Sequence, residues 1–574
     1  MNTFRDPMKQ GRGTKFIFEA TLRAAAFVAV LGLWGCGGEE VRTAPEEILE
    51  TVKMSDPSVL GYVRADAGGL QFLVGFLENF LEGDPIRRAR DLEESFGSVP
   101  GVNLLFSSLP VDMMRKVAPL TEPGSHVSVV LLDPGIFGGG AALHFVPERG
   151  KSLVAILDDA GNYERVGDSP PEFRLMRARH PFKIFLQALK QIDIDLEIPG
   201  DDYDLRFVVE ESAEGVVVVP SYDARRDVLA FLRSTDFLSP WGEAGLVIDL
   251  DMERLAMAYA DLIRSLDLSI RKIAAKLDAA ADREVPLSAG RILRFWSATV
   301  LGFLGGLDGV RYVSSHPASG AAELRVLAVE GGSVDRFLGA MREDGPSMLG
   351  LIPGGFALEL NTDPEAFAAL IPAAGDFYAE MLQMDRAELE PVIHAGVQAL
   401  EFSAGRHLWG VNASREAGMG ACVSVFEEGA DRAVLEERAF ATSASFARLR
   451  GREIERPPDR AQGAPMRLDL FPGTLTVEGG ARGNKWVTTV LYNLAKRSGE
   501  SRSAEKWSKQ LFGLARMGAP PPAGLPRKAH LFVKFRLMPV GDAALQALGM
   551  MVSLGFCGYG QVDGNELTVT FPKR

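Results

Sequence analysis

The sequence predicts an α+β fold made of repeated units, in which a mainly antiparallel sheet is backed by helices. Three observations predict it. An apolar extended run that continues into an amphipathic helix recurs four times along the chain. A pair of short strands joined by a turn follows each of these four runs. The composition, 47% hydrophobic and 24% charged residues in 574, is ordinary for a globular chain with several cores.

The first pattern predicts strands that lead directly into helices. Asp251 and Asn361 stand where a helix N-cap is expected, and Pro364 falls in a first turn. The fourth copy has no such cap. The predicted strands are 59–66, 245–251, 355–361 and 530–537, and the helices after them are 70–81, 252–277, 364–382 and 540–552.

The second pattern predicts hairpins with one buried face. Alternation of apolar and polar residues is clear in 323–329 and in 566–571, as expected for such strands. Asp563-Gly564-Asn565 is a strong turn signal between the last two strands. The predicted hairpins are 126–133 with 141–146, 205–210 with 215–219, 309–314 with 321–329, 407–412 with 420–426, and 556–562 with 566–571.

These patterns divide the chain into predicted domains. A unit of roughly 100 residues recurs about four times, and a stretch rich in Arg, Pro and Gly reads as a linker. The predicted spans are 1–35, a removable signal; 36–55, a tether; 56–240, one unit plus a partial one; 241–345 and 346–450, one unit each; 451–465, the linker; and 466–574, the last unit.

The N-terminal segment carries the most specific signal. A basic region ending at Arg23 precedes an apolar run, residues 24–35, that is too short to span a bilayer of about 30 Å. The run ends in Leu33-Trp34-Gly35-Cys36. This motif resembles the lipobox of bacterial lipoproteins.

The resemblance implies cleavage after Gly35 and a covalent diacylglycerol and acyl chain on Cys36. Such a lipid anchors the protein in a membrane. Gly37, which follows the lipidated position, implies an outer-membrane location facing the periplasm. The alternative is a buried Cys36 in an N-terminal hydrophobic helix.

Charge and missing motifs restrict the function. The formal net charge is −14, which opposes binding to nucleic acid, because such binding relies on Lys and Arg that neutralise phosphates. No His-Glu-x-x-His, Cys-x-x-Cys or Gly-x-Ser-x-Gly motif occurs, so no catalytic residue, metal site or cofactor is assigned. Four histidines on or beside predicted strands, His126, His144, His407 and His530, favour structural roles over ligand binding.

Two cysteines remain after Cys36. Cys422 lies on a predicted strand, and Cys557 lies near the C-terminus. Small apolar neighbours favour two buried free thiols. A single disulfide between them is the alternative in an oxidising compartment.

We therefore expect a non-catalytic lipoprotein that binds or scaffolds other components of the cell envelope. A carrier or chaperone for lipid or acylated protein is the alternative, since aromatic residues of the predicted helices could line an apolar groove. A second alternative is an envelope hydrolase whose Ser, His and acid come from distant parts of the chain. The expected partners are the membrane, through the anchor, and envelope proteins or lipid. The mature region also resembles, loosely, uncharacterised exported bacterial proteins.

Overall fold

The computed structural model describes a little over half of the chain. The predicted signal, Cys36 and the predicted helices 70–81 and 540–552 lie outside the described residues. The described residues are 59–66, 113, 116–137, 140–161, 163–175, 206–212, 215–233, 245–260, 263, 267–268, 271–272, 274–275, 289–314, 321–353, 355–382, 385–400, 403–413, 417–427, 429, 431, 433–434, 437, 441, 444, 466–470, 473–482, 484–493, 502–536 and 556–572.

Strands dominate the described residues. They are β1 (Val59–Asp66), β2 (His126–Leu132), β3 (Ala141–Phe145), β4 (Tyr163–Asp168), β5 (Pro171–Leu175), β6 (Arg206–Ser212), β7 (Gly215–Val219), β8 (Leu246–Asp251), β9 (Leu307–Ser314), β10 (Ala322–Ala328), β11 (Gly355–Asn361), β12 (Ser403–Ala413), β13 (Ala417–Phe426), β14 (Met466–Leu470), β15 (Gly473–Arg482), β16 (Lys485–Asn493), β17 (Leu531–Arg536), β18 (Phe556–Asp563) and β19 (Glu566–Phe571).

The helices are shorter in total. They are α1 (Pro134–Phe137), α2 (Leu153–Asp159), α3 (Tyr222–Leu232), α4 (Met252–Ala258), α5 (Ala289–Gly305), α6 (Ser333–Gly339), α7 (Pro364–Leu382), α8 (Arg386–Leu400) and α9 (Arg502–Met517), with a 3₁₀ turn at Leu349–Leu351.

All 19 described strands join one antiparallel sheet. Their pairings give the order β4-β5-β6-β7-β3-β2-β1-β8-β9-β10-β19-β18-β17-β11-β12-β13-β16-β15-β14. Consecutive strands β10 and β11 are thus separated by three strands from later in the chain.

The prediction of an α+β fold made of repeated sheet-and-helix units is wrong. Strands account for 43% of the described residues and helices for 35%, and one sheet contains every described strand. Groups of three strands do recur, since β1, β8, β11 and β17 each pair with the next strand along the chain, which starts a hairpin. The outer strands of each three-stranded set, however, have unpaired backbone N–H and C=O atoms. Those atoms form hydrogen bonds with the outer strand of the neighbouring set. The predicted domain boundaries stay a prediction.

The sheet has two faces, which we define by cross-strand partners. Face A carries one row of aligned residues from β7 to β11: Val218, Leu143, Val129, Val63, Ile248, Tyr312, Leu324, Val569, Gly560, Leu531 and Leu360. These side chains are apolar, apart from Gly560 and the Tyr312 hydroxyl. Residues of α2, α4, α5, α6 and α7 pack on them in two core clusters, so face A is helix-covered along most of its described width.

Within the described residues, helices pack on face B in two regions. Helix α3 packs on β1, β2, β3, β6, β7 and β8 through Ala224, Val228 and Leu232. Helix α9 packs on β11, β12, β13 and β16 through Trp507, Leu511 and Ala515. Between these two regions, on β8, β9, β10, β19 and β18, face B carries mostly polar, partly exposed side chains, with Leu327 of β10 as an apolar exception.

Local signals had mixed outcomes. Asp251 caps α4 as predicted, because its Oδ1 accepts from Arg254 N at 2.9 Å. The N-cap prediction for Asn361 is wrong, since Asp363 caps α7 through a 2.9 Å bond from Ala366 N. Asn361 is instead fully buried at the end of β11, and its Nδ2 donates to Ala529 O at 2.7 Å.

Candidate functional site

Three polar features stand out in the sheet: an open surface on face B, a buried carboxylate cluster on the same face, and a buried histidine cluster on face A. The open surface, which we call the polar floor, consists of polar face-B side chains between α3 and α9. Its members are Asp249, Arg311, Glu323, Arg325, Gln561, Glu566, Thr568 and Thr570.

Ion pairs order the polar floor. Arg311 Nη2 lies 2.7 Å from Asp249 Oδ2, and Arg325 Nε lies 2.6 Å from Glu323 Oε1. Arg325 also lies 3.8 Å from Glu566 Oε1. The Arg311 and Arg325 side chains are 43% and 46% exposed, so solvent screens these pairs and each contributes little stability. The polar floor therefore presents charges of both signs on partly exposed side chains.

The carboxylate cluster is centred on Glu359 in β11. Its side chain is fully buried on face B, where Ser347 Oγ and Met348 N donate to Oε2 at 3.1 and 2.5 Å. Arg406 Nη2 donates to Oε1 at 2.8 Å. Burial raises the pKa of the Glu359 carboxyl, and the bonds from Arg406, Met348 and Ser347 oppose that rise.

The segment 345–353, which we call the strap, crosses face B above this cluster. Arg406 Nη2 donates to Pro346 O at 2.5 Å, and Lys534 Nζ donates to Leu349 O and Ile352 O at 2.7 Å each. Trp507 Nε1 of α9 donates to Pro353 O at 3.0 Å. Backbone groups that a loop normally presents to water are thus bonded to side chains of β11, β12, β17 and α9. The cluster and the strap stabilise each other.

The histidine cluster lies on face A in β12. His407 is buried, with Nε2 3.3 Å from Ser403 Oγ and Nδ1 3.1 Å from Ser424 Oγ. Phe367 and Trp409 pack beside the ring, with ring centroids 5.8 and 5.7 Å away. Burial lowers the pKa of His407 to about 4, so the imidazole is neutral near pH 7.

This arrangement differs from a hydrolytic triad. A triad needs an acid on the second ring nitrogen to orient the imidazole, whereas His407 contacts a second serine there. Glu359 lies on the neighbouring strand β11, but it aligns with Leu408, whose side chain points to face B. Its carboxylate is therefore on the opposite face of the sheet from His407. The structural role that the sequence predicts for His407 agrees with this geometry.

Neither of the remaining cysteines, Cys422 and Cys557, forms a disulfide. Cys422 aligns with Trp409 on face A, and Cys557 aligns with Lys534 on face B. Their strands, β13 and β18, are four strand spacings apart, or roughly 19 Å. A disulfide needs Cα atoms within about 7 Å, so the bridge considered from the sequence is not formed. Burial raises the pKa of Cys422 to about 11.

Gly35 and Cys36 lie outside the described residues, so the lipid-attachment site remains a prediction. No helix in the described ranges has the length and apolar character needed to cross a bilayer. Among those same residues, no group of three or more His, Cys, Asp or Glu side chains is arranged to hold a metal ion.

Glu359 and Arg406 were not singled out from the sequence. The available signal was a single acid inside the apolar run Gly355–Asn361. A lone charge in a strand that is buried on both faces requires a partner, and Arg406 provides it.

Comparison with known proteins gives no relative. No family model, no curated protein and no solved structure matches this chain.

Proposed function

We propose that this chain is a cell-envelope lipoprotein, anchored through a lipid on Cys36, that binds or scaffolds another envelope component on the polar floor without catalysing a reaction. The anchor is supported by the lipobox resemblance of Leu33-Trp34-Gly35-Cys36. The binding role is supported by the architecture of the sheet.

The observation that carries the proposal is the difference between the two faces. Face A is covered by helices on an apolar row, whereas the middle of face B keeps partly exposed polar side chains. Core packing on face A makes the floor rigid, so a partner would meet positioned charges at little entropic cost.

The carrier alternative receives less support. It requires an apolar groove between the sheet and its covering helices. The described apolar residues of face A instead pack against each other, and Phe303, an aromatic residue of α5, packs against the core cluster of α6 and β10.

The anchor is tested by labelling cells that express the protein with a palmitate analogue. The lipobox proposal expects a labelled protein in the membrane fraction, and Cys36→Ala is expected to abolish the label and release the protein. Retention of the label in Cys36→Ala would overturn the anchor.

The binding role is tested in cells with photoreactive residues placed at Gln561 or Arg325 of the floor. Met517, whose side chain is 79% exposed on α9, provides the control position. The proposal expects a crosslinked product of one defined mass from both floor positions and none from the control. Products that are equal at all three positions, or absent from the floor, would overturn it.

A further inference from the structure

Two buried polar atoms on face B have no hydrogen-bond partner within the described part of the chain: Asn361 Oδ1 and Arg406 Nε. The other polar groups of both side chains are engaged. Asn361 Nδ2 donates to Ala529 O, and Arg406 Nη2 donates to Glu359 and to Pro346 O. Exchanging the amide atoms of Asn361 would place its oxygen against Ala529 O, so the orphaned acceptor is not a matter of amide orientation.

The two atoms belong to directly opposed residues. Asn361 of β11 aligns with Arg406 of β12, and both side chains point to face B. Asn361 N donates to His530 O and Asn361 O accepts from Arg342 N, so the pair makes no backbone bonds across β11 and β12. Side chains of such non-hydrogen-bonded pairs approach most closely, with Cβ atoms about 5 Å apart.

The chemistry of the pair restricts what can bind there. One atom is an acceptor and the other a donor. An anion would satisfy only Arg406 Nε, and a cation would satisfy only Asn361 Oδ1. The ligand must therefore both donate and accept a hydrogen bond.

The strap lies beside the same guanidinium, because a Cβ added to Gly345 would lie 3.4 Å from Arg406 Nη1. We propose that this site binds one ordered water molecule, which donates to Asn361 Oδ1 and accepts from Arg406 Nε. Such a water satisfies buried polar groups that the protein itself leaves unpaired. The inference is independent of the proposed function.

A high-resolution crystal structure of the protein tests the site. We expect one water peak within about 3.2 Å of both atoms. A direct bond between Asn361 Oδ1 and Arg406 Nε, an empty site, or a peak that contacts only one of the two atoms would overturn the proposal.

Two variants add a second readout in the same crystals. In its neutral acid form, Asn361→Asp keeps the acceptor and its hydroxyl donates to Ala529 O in place of Nδ2, so the water is expected to remain in crystals grown at acidic pH. Asn361→Leu removes the acceptor, and the peak is expected to disappear. A peak that persists unchanged in Asn361→Leu would show that Asn361 does not bind it. If Asn361→Leu fails to fold, the wild-type and Asn361→Asp structures still decide the question.

Discussion

Glu359 and His407 lie on adjacent strands of the sheet but point to opposite faces. Glu359 aligns with Leu408 and Phe532 on face B, whereas His407 aligns with Leu360 on face A. The two buried polar clusters are therefore separated by the backbone of the sheet. A substitution in one cluster leaves the hydrogen bonds of the other in place, so their contributions can be measured separately.

The first prediction concerns pH and His407. Its pKa in the folded state, about 4, lies below the ordinary value of 6.5, so the unfolded chain binds more protons between these values. The contribution of His407 to the free energy of unfolding is therefore complete above pH 6.5 and falls by about 3 kcal/mol as the pH drops to 4. Urea unfolding across this range checks it.

The matched variants are His407→Gln and His394→Gln. His394 is exposed on α8. We expect His407→Gln to flatten the fall in stability between pH 6.5 and 4, and His394→Gln to preserve it. Equal slopes for both variants would contradict the assignment.

The second prediction concerns the buried pair of Glu359 and Arg406. Glu359→Gln removes the negative charge that compensates Arg406 and places an amide donor near Met348 N–H. We expect a loss of about 3 kcal/mol in the free energy of unfolding. Glu323→Gln breaks an exposed pair with Arg325 and should cost less than about 1 kcal/mol. Denaturant unfolding of both variants measures the difference, and similar losses would be inconsistent with it.

The third prediction separates steric cost from backbone strain at two glycines. Gly355 and Gly331 share a φ of +71°. A Cβ at Gly355 would lie 2.1 Å from Val411 O, whereas at Gly331 nothing lies within 4 Å. Gly331→Ala should cost about 1 kcal/mol for the positive φ alone. Gly355→Ala should cost several-fold more or prevent folding.

Thermal unfolding and soluble yield measure these effects. Equal behaviour of Gly355→Ala and Gly331→Ala would show that β11 and β12 do not approach each other as described.

The fourth prediction concerns thiol chemistry. Because the Cys422 side chain is half-buried and its pKa is raised to about 11, its thiolate is scarce at pH 8, and alkylation of the native protein should be slow. In denaturant without reductant, both Cys422 and Cys557 should react. Peptide mapping by mass spectrometry identifies each site. A Cys422–Cys557 peptide linked by a disulfide would refute the two-thiol assignment.

Several elements could be predicted from local sequence. Strands 59–66 and 355–361 and helix 364–382 have the predicted bounds, because apolar periodicity and Pro364 mark them clearly. Strand β4 was not predicted, since half of Tyr163–Asp168 is charged and most of it is exposed at the edge of the described sheet. Strands β14, β15 and β16 lie in a span for which no separate strands were predicted.

The merging of the strands into one sheet could not be predicted in this way. Pairing of Leu324 with Val569 joins residues far apart in sequence, and alternation within each strand fits any antiparallel neighbour. The same limit applies to Glu359, whose partner Arg406 is identified only once β11 and β12 are aligned.

The position of β17, β18 and β19 between β10 and β11 also bears on biosynthesis. Strands β1 to β16 precede these three strands in the chain, so a protein that is translocated from its N-terminus holds two partial sheets with unpaired inner edges at β10 and β11 until its last segment arrives. Those edges are templates for wrong pairing until the later strands emerge. We therefore expect the final step of folding to be the insertion of β17, β18 and β19 between β10 and β11. Until that step, we expect a chaperone to bind the exposed edges of β10 and β11.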